Sequence, residues 1–209
     1  SLSVASSFKD KDDTIVFSTT ATSDEAPIGD FGDNFFAIGA EMISSGARAG
    51  IHANNNCSSA VTLTEQTDAG ADKVKGFSDS LDAEKVIFKE EFPTDKAEFR
   101  DLLTKVKQYN PDCIFVEVKS NYFPNFMNQL SNLGLKSKVY TSSYSINKDV
   151  LQNLSDDQKN LIIFSSTSIN PKDTFSEKYF DTYERYPNDF ALVGYEMVRL
   201  VAENQKGCE

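Results

Sequence analysis

Lys85-Val-Ile-Phe-Lys-Glu-Glu-Phe92, closed by Pro93, and Cys113-Ile-Phe-Val-Glu-Val118, preceded by Asn110-Pro111-Asp112, bracket one amphipathic helix, and this stretch decides the fold. The first run is β-branched and aromatic, and proline cannot donate to a sheet ladder, so the strand ends there. Asp95, with Glu98 three residues on, has the form of a helix start. Phe99, Leu102, Leu103, Val106 and Tyr109 then fall on one stripe of a 3.6-residue period. The second run is apolar without alternation, as in a strand covered on both faces of a parallel sheet. Strand, helix and parallel strand in 34 residues make an α/β unit.

The pattern repeats outward. Before it, Ala60 to Thr64 reads as a strand, and the polar turn Glu65 to Gly70 leads into a helix with Val74, Phe77 and Leu81 inside. After it, Lys119 to Asn121 leaves the strand, and a helix buries Phe126, Met127, Leu130 and Leu133 before ending at Gly134. Val139 to Ser143 and Leu161 to Phe164 are further strands, with a short helix over Asp149 to Leu154 between them. Four strands thus end in polar turns, at Glu65 to Asp68, Glu91 to Asp95, Lys119 to Asn121 and Ser142 to Ser145. Right-handed crossovers put all four turns on one edge of the sheet.

The flanks are less regular. Leu2 to Phe8 reads as a short helix and Thr14 to Phe17 as a short strand. That strand runs into Ser18-Thr-Thr-Ala-Thr-Ser23, which is either a cradle for a carboxylate or phosphate at a strand's carboxyl end or a plain hydroxyl-rich loop. Asp33 to Gly39 is another apolar run. Glu41 to Ala53 reads as a helix facing inward through Ile43, Ala47, Gly50 and Ile51, with Asn54 to Ser59 as a loop. Asn170 to Asp173 opens a helix carrying Phe175, Tyr179, Phe180 and Tyr183. Phe190 to Asn204 is the last helix, with Tyr195, Val198 and Val201 at core spacing.

Composition limits the function. With 32 acidic against 21 basic residues and a net charge of −11, the chain lacks the gathered Lys and Arg that nucleic-acid binding needs. Its 39% hydrophobic and 25% charged residues are those of a soluble globular protein, and no apolar run of membrane-spanning length occurs. There is no phosphate-binding glycine loop, no serine nucleophile elbow and no metal-ligand spacing around His52, the single histidine, which reads as a surface or packing residue. No cofactor is indicated. The start at Ser1, without an initiator Met or signal-like segment, reads as part of a longer polypeptide.

Taken together, Gly39 to Asp68, Glu91-Phe-Pro-Thr-Asp-Lys-Ala-Glu-Phe-Arg-Asp-Leu-Leu103, Asn110-Pro-Asp-Cys-Ile-Phe115, Gln129-Leu-Ser-Asn-Leu-Gly-Leu135 and the closing Tyr179, Tyr183 and Gly194-Tyr195 resemble, in order and spacing, the type I periplasmic-binding-protein family. The closest branch is the branched-chain amino-acid receptor of ABC importers. The resemblance covers nearly the whole chain. It implies an α/β protein of two doubly wound lobes that close on a small ligand, a permease partner, no catalysis, and a periplasmic or extracellular place, with a signal segment and a lipid anchor lying beyond this chain. Residues 1–36 and 169–209 would form part of lobe I, and 37–168 nearly all of lobe II. The resemblance also implies a site. Ser1 and Ser3 fall near the helix start that receives the ligand's carboxylate. Thr20 would offer its carbonyl to an ammonium, and Thr22 its N–H and hydroxyl to the carboxylate. On lobe II, Asp68, Ala69, Lys119, Asn121 and Ser143 line the edge. Ala69 and Lys119 stand where relatives carry tyrosines, and Ser143 where they carry an acid. Lys119 would emerge into the cleft and either reach solvent or meet an anion, which favours an acidic or polar amino acid or a small organic acid over leucine. A sensing or interaction module on the same fold is the alternative, and an α/β enzyme a more distant one.

Cysteine placement leaves two readings. In a 2-1-3-4 strand order the strands that begin near Cys57 and Cys113 are neighbours, so the thiols either form a bridge at the amino-terminal edge or stay separate.

Overall fold

The computed structural model describes residues 7–9, 11, 14–18, 34–37, 42–165, 173–187 and 189–205. Along the chain run β1 (Val16–Ser18), β2 (Phe35–Ala37), α1 (Met42–Asn56), β3 (Ala60–Glu65), α2 (Asp68–Asp79), β4 (Val86–Phe92) and α3 (Arg100–Tyr109). There follow β5 (Cys113–Glu117), α4 (Phe123–Asn132), β6 (Lys138–Ser142), α5 (Lys148–Gln152), α6 (Asp156–Lys159), β7 (Ile162–Ser165), α7 (Thr174–Tyr183) and α8 (Asp189–Gln205). They divide into two compact units, residues 1–41 with 167–209, and residues 42–166.

The second unit is a five-stranded, wholly parallel sheet in the order β4-β3-β5-β6-β7. Alternate residues of β3 and β5 sort into two cores. Val61, Leu63, Ile114 and Val116 pack with Leu102, Leu103, Val106, Phe126 and Met127 of α3 and α4. Ala60, Cys113 and Phe115 pack with Ala49, Ala53 and Phe77 of α1 and α2. With both faces covered, β5 needs no polar side, which is why it reads as a continuous apolar run. Because every strand points the same way, Glu65, Phe92, Glu117, Ser142 and Ser165 all end at one edge.

Local chemistry sets the element ends, and several differ from expectation. Asp95 does not start α3. Thr94 and Asp95 form a turn, and the helix begins at Arg100 because the Phe99 N–H is taken by Gln129 Oε1 of α4 at 2.8 Å while Glu98 accepts from the Arg100 N–H. Tyr109, placed on the inner stripe by its spacing, is 46% exposed and lies against Phe88 at the stripe's end. α1 runs through Asn56, three residues past the expected end, and the Asn55 and Asn56 amides donate back to the Ile51 and His52 carbonyls. Its buried face is Gly46, Ala49, Gly50 and Ala53, and Ile51 is exposed. Gly46 lies directly on the Lys73 backbone and Gly76 on the Ile43 carbonyl, so α1 and α2 meet along a stripe of small residues that an apolar count does not weigh. α4 stops at Gly134 as expected, with φ +73°, and Asn110 stops α3 in the left-handed region at φ 46°. After β6 the chain forms two short helices where one was expected, since Ser155 and Gln158 make a second, reciprocal cap.

In the first unit, β1 and β2 pair in parallel and Phe17 stacks on Phe36. Asn34 Nδ2 reaches the carbonyls of Phe8 and Thr14, each at 2.8 Å. Asp173 caps α7 by accepting the Ser176 N–H, and Phe175 stacks on Tyr195 of α8 at 4.4 Å. Tyr195 and Val198 are exposed despite their core spacing. Glu196, Arg199 and Glu203, at i, i+3 and i+7, pair along a charged face of α8. The expected helix over Leu2 to Phe8 lies mostly outside the described residues, and Ser7 to Lys9 form a turn.

Candidate functional site

At the carboxyl edge of the five-stranded sheet, two strands that are buried along their whole length end in acids, Glu65 on β3 and Glu117 on β5. Burying a carboxylate is costly unless it is paired, so each must be accounted for. α2, started by Thr67 accepting the Gly70 N–H, carries Lys73 over the sheet. Its Nζ stands 2.9 Å from Glu117 Oε2 and donates to Ser142 Oγ at 2.9 Å, while the Ser142 hydroxyl donates to the same carboxylate oxygen at 3.0 Å. Glu65 is held differently. Its Oε1 accepts the Lys119 backbone N–H and its Oε2 the Tyr144 hydroxyl, both at 2.8 Å.

Tyr144 joins the two halves. Its N–H donates to Ser142 Oγ at 3.3 Å, and its ring centre lies 5.4 Å from the Lys73 ammonium. Glu65, Lys73, Glu117 and Ser142 are buried, whereas Tyr144 is 41% exposed and forms the network's outer surface. Burial pushes the Glu117 carboxyl up from the ordinary glutamate range, and Lys73 and Ser142 act against the shift. With two donors on one oxygen, Glu117 is held as the carboxylate partner of Lys73. Its second oxygen, Oε1, is buried without a hydrogen-bond partner. Burial, together with the bond to Glu65, raises the Tyr144 phenol, which stays a neutral donor.

Of the residues chosen from sequence, Lys119 reaches this network, but through its backbone. Its side chain is half-buried and its Nζ donates to the Thr94 carbonyl at 3.1 Å. The two fates foreseen for it, solvent or an anion, give way to a third, a backbone acceptor on the neighbouring turn. The anionic ligand it was expected to call for is therefore not required by it. Asp68 and Ala69 open α2, Asn121 follows β5 and Ser143 lies between Ser142 and Tyr144, all exposed at the same edge. None of these four takes part in the network's hydrogen bonds. Ser1, Ser3, Thr20 and Thr22 lie outside the described residues.

Lys73, Glu117, Ser142 and Tyr144 were not foreseen as a site. A signal for two of them exists, since Glu117 interrupts the run Ile114 to Val118, and Lys73 falls four residues before Phe77 on the buried stripe of α2. An open hollow of about 700 Å³ elsewhere in this unit, lined by Ile146, Leu151 and Ile162 with Lys148 and Lys159, has no buried polar side chain to orient a ligand.

The opposite edge is structural. Cys57 and Cys113 are joined by a disulfide, with Cα atoms 6.1 Å apart. The offset between the two strand starts is taken up by a reciprocal clasp, in which Asp112 Oδ2 accepts the Ser58 N–H and the Asp112 N–H donates to Ser59 Oγ. His52 packs its ring on Tyr140, with Nδ1 2.9 Å from the phenol oxygen.

A family model described as periplasmic binding protein matches residues 2–205. The chain belongs to this family, in its type I form. Solved periplasmic binding proteins share its fold. LivJ from Streptococcus pneumoniae, in complex with isoleucine, is 22% identical with a TM-score of 0.68, over 82% of this chain and 51% of its own. The leucine binding protein LivK from Thermotoga maritima is 18% identical with a TM-score of 0.68, over 83% and 53%. A solute binding protein of an ABC transporter from R. palustris, in complex with benzoate, is 18% identical with a TM-score of 0.64, over 81% and 49%. This periplasmic binding protein thus spans about half the length of its solved relatives. No curated protein matches it. Among its described residues no helix is long and apolar enough to cross a membrane.

Proposed function

We propose that this periplasmic binding protein is an extracytoplasmic solute receptor of an ABC importer, not an enzyme, that takes an amino acid or a small carboxylate and delivers it to a permease. The observation that carries the reading is the buried Lys73–Glu117–Ser142 and Glu65–Tyr144 network. It lies at the carboxyl edge of an open parallel sheet, where ligands of such sheets bind. The isoleucine and benzoate held by two relatives supply the ligand classes. In this reading residues 1–36 with 169–209 are part of one lobe and residues 37–168 are the other. The disulfide fits a periplasmic or extracellular place, and a lipid anchor outside this chain would hold the protein at the membrane.

Ser1, Ser3, Thr20 and Thr22 remain assigned to the ligand's carboxylate and ammonium, and Asp68, Ala69, Asn121 and Ser143 to the rim. Calorimetry of the full-length protein against amino acids and small carboxylates tests the function. Saturable 1:1 binding of one of them is expected, weakened by about 1–3 kcal/mol in Thr22→Val without a change in melting temperature. A folded protein that binds none of them overturns the receptor reading. Binding without uptake by cells carrying the transporter would point to a sensor.

A further inference from the structure

We infer that Lys119 is a positioning residue: with Val118 it fastens the turns that follow β3, β4 and β6 onto the turn after β5, so that the solute meets an edge already set. The inference rests on the receptor reading above and assigns Lys119 no contact with the solute.

Every kind of polar group on Lys119 is engaged within the fold. Its N–H donates to Glu65 Oε1, at the end of β3, at 2.8 Å. Its carbonyl accepts the Tyr122 and Phe123 N–H groups at 2.9 and 3.1 Å and so opens α4. Its ammonium donates to the Thr94 carbonyl, beyond β4, at 3.1 Å. One residue back, the Val118 N–H donates to Ser145 Oγ, beyond β6, at 3.1 Å, and Ser145 is fully buried. Two consecutive residues thus hold the three other polar turns of the edge.

The turn after β4 depends on this most. β4 is an edge strand with β3 as its one neighbour, and Thr94 to Phe99 form neither helix nor strand. Three side chains from the β5–α4 stretch reach this segment. Lys119 donates to the Thr94 carbonyl, Asn125 Nδ2 donates to the Ala97 carbonyl, and Gln129 Oε1 accepts the Phe99 N–H. A half-buried ammonium could extend to water and keep its side-chain freedom, so its place on a neutral carbonyl serves the order of that turn. A segment ordered before the solute arrives need not be ordered by it, which leaves more of the contact energy for affinity.

Limited trypsin digestion and calorimetry of the full-length protein test this with Lys119→Met, Lys119→Arg and Asn125→Ala. Cleavage after Lys96, inside the held segment, should be about threefold or more faster in Lys119→Met and Asn125→Ala. Lys119→Arg, which keeps a donor on a long stem, should stay near the wild type. L-Leucine, L-glutamate and benzoate are the solute probes. Each one that the wild type binds should bind about three- to tenfold more weakly to Lys119→Met and to Asn125→Ala, irrespective of its charge, and recover in Lys119→Arg. Unchanged cleavage, unchanged affinity, or a loss confined to Lys119→Met or to glutamate and benzoate overturns the inference and leaves the receptor reading standing. A wild type that binds none of these probes and none of the wider amino-acid and carboxylate panel overturns the receptor reading, and the inference with it. Asn125→Ala, at an exposed position, supplies the answer if Lys119→Met does not fold.

Discussion

Lys73 and Glu117 meet at 2.9 Å although 44 residues separate them, and neither side chain exposes more than a tenth of its surface. A buried pair of this kind is worth little against an apolar replacement, but breaking it strands a charge. Lys73→Met should destabilise the protein by about 3–5 kcal/mol, and adding Glu117→Met should recover most of the loss. Urea unfolding of the two variants checks this, and additive losses would contradict it.

Glu117 gives the second expectation its sign. Burial raises its folded pKa above the ordinary 4.5, so between that value and the raised one the folded state holds more protons than the unfolded chain. The group's contribution is fully present below the ordinary value and is lost as pH rises through the folded one. The stability of the wild type relative to Glu117→Gln should therefore increase as pH falls from 7 toward 4.5. Paired melts across that range measure it, and a difference that runs the other way would reverse the assignment.

Two glycines should respond oppositely to alanine. A Cβ on Gly46 would run into the Lys73 backbone, which cannot turn aside, so Gly46→Ala should cost about 1–3 kcal/mol by forcing α1 off α2. Gly194, inside α8, has open space around the added atom, and Gly194→Ala should stabilise by up to about 1 kcal/mol through helix propensity alone. Thermal melts of both variants suffice.

Of three cysteines, two are bonded across a separation of 56 residues. The denatured, unreduced protein should titrate a single thiol, that of Cys208. Cys57→Ser with Cys113→Ser should lower stability by about 2–4 kcal/mol. Three titrating thiols would exclude the bridge.

How much of this could be read in advance depended on sequence distance. The strand, helix, strand unit around Leu102 and Ile114 was legible because each decision was local: a proline after Phe92, a stripe at i, i+3 and i+4, an asparagine before Pro111. The start of α3 was not, because the amide of Phe99, the residue before it, is satisfied by Gln129, 30 residues on. The candidate site was hidden for the same reason. Lys119 and Ser143 stand at turns, where function is habitually sought, whereas Lys73, Glu117 and Tyr144 acquire meaning only from partners 44, 25 and 79 residues away. Polar residues inside buried runs were the one local trace of that pairing.

The two edges of the sheet are fastened by bonds of different strength. At the amino end β3 and β5 are tied by a covalent link next to the Asp112 clasp. At the carboxyl end Glu65 of β3 accepts the Lys119 amide that follows β5, and the Lys73–Glu117 ion pair holds α2 onto β5. The covalent tie holds the two strands in register from the amino end, whereas at the carboxyl end the fastening is polar, so that a change of charge at Glu65 or Glu117 would loosen that edge and leave the other one closed.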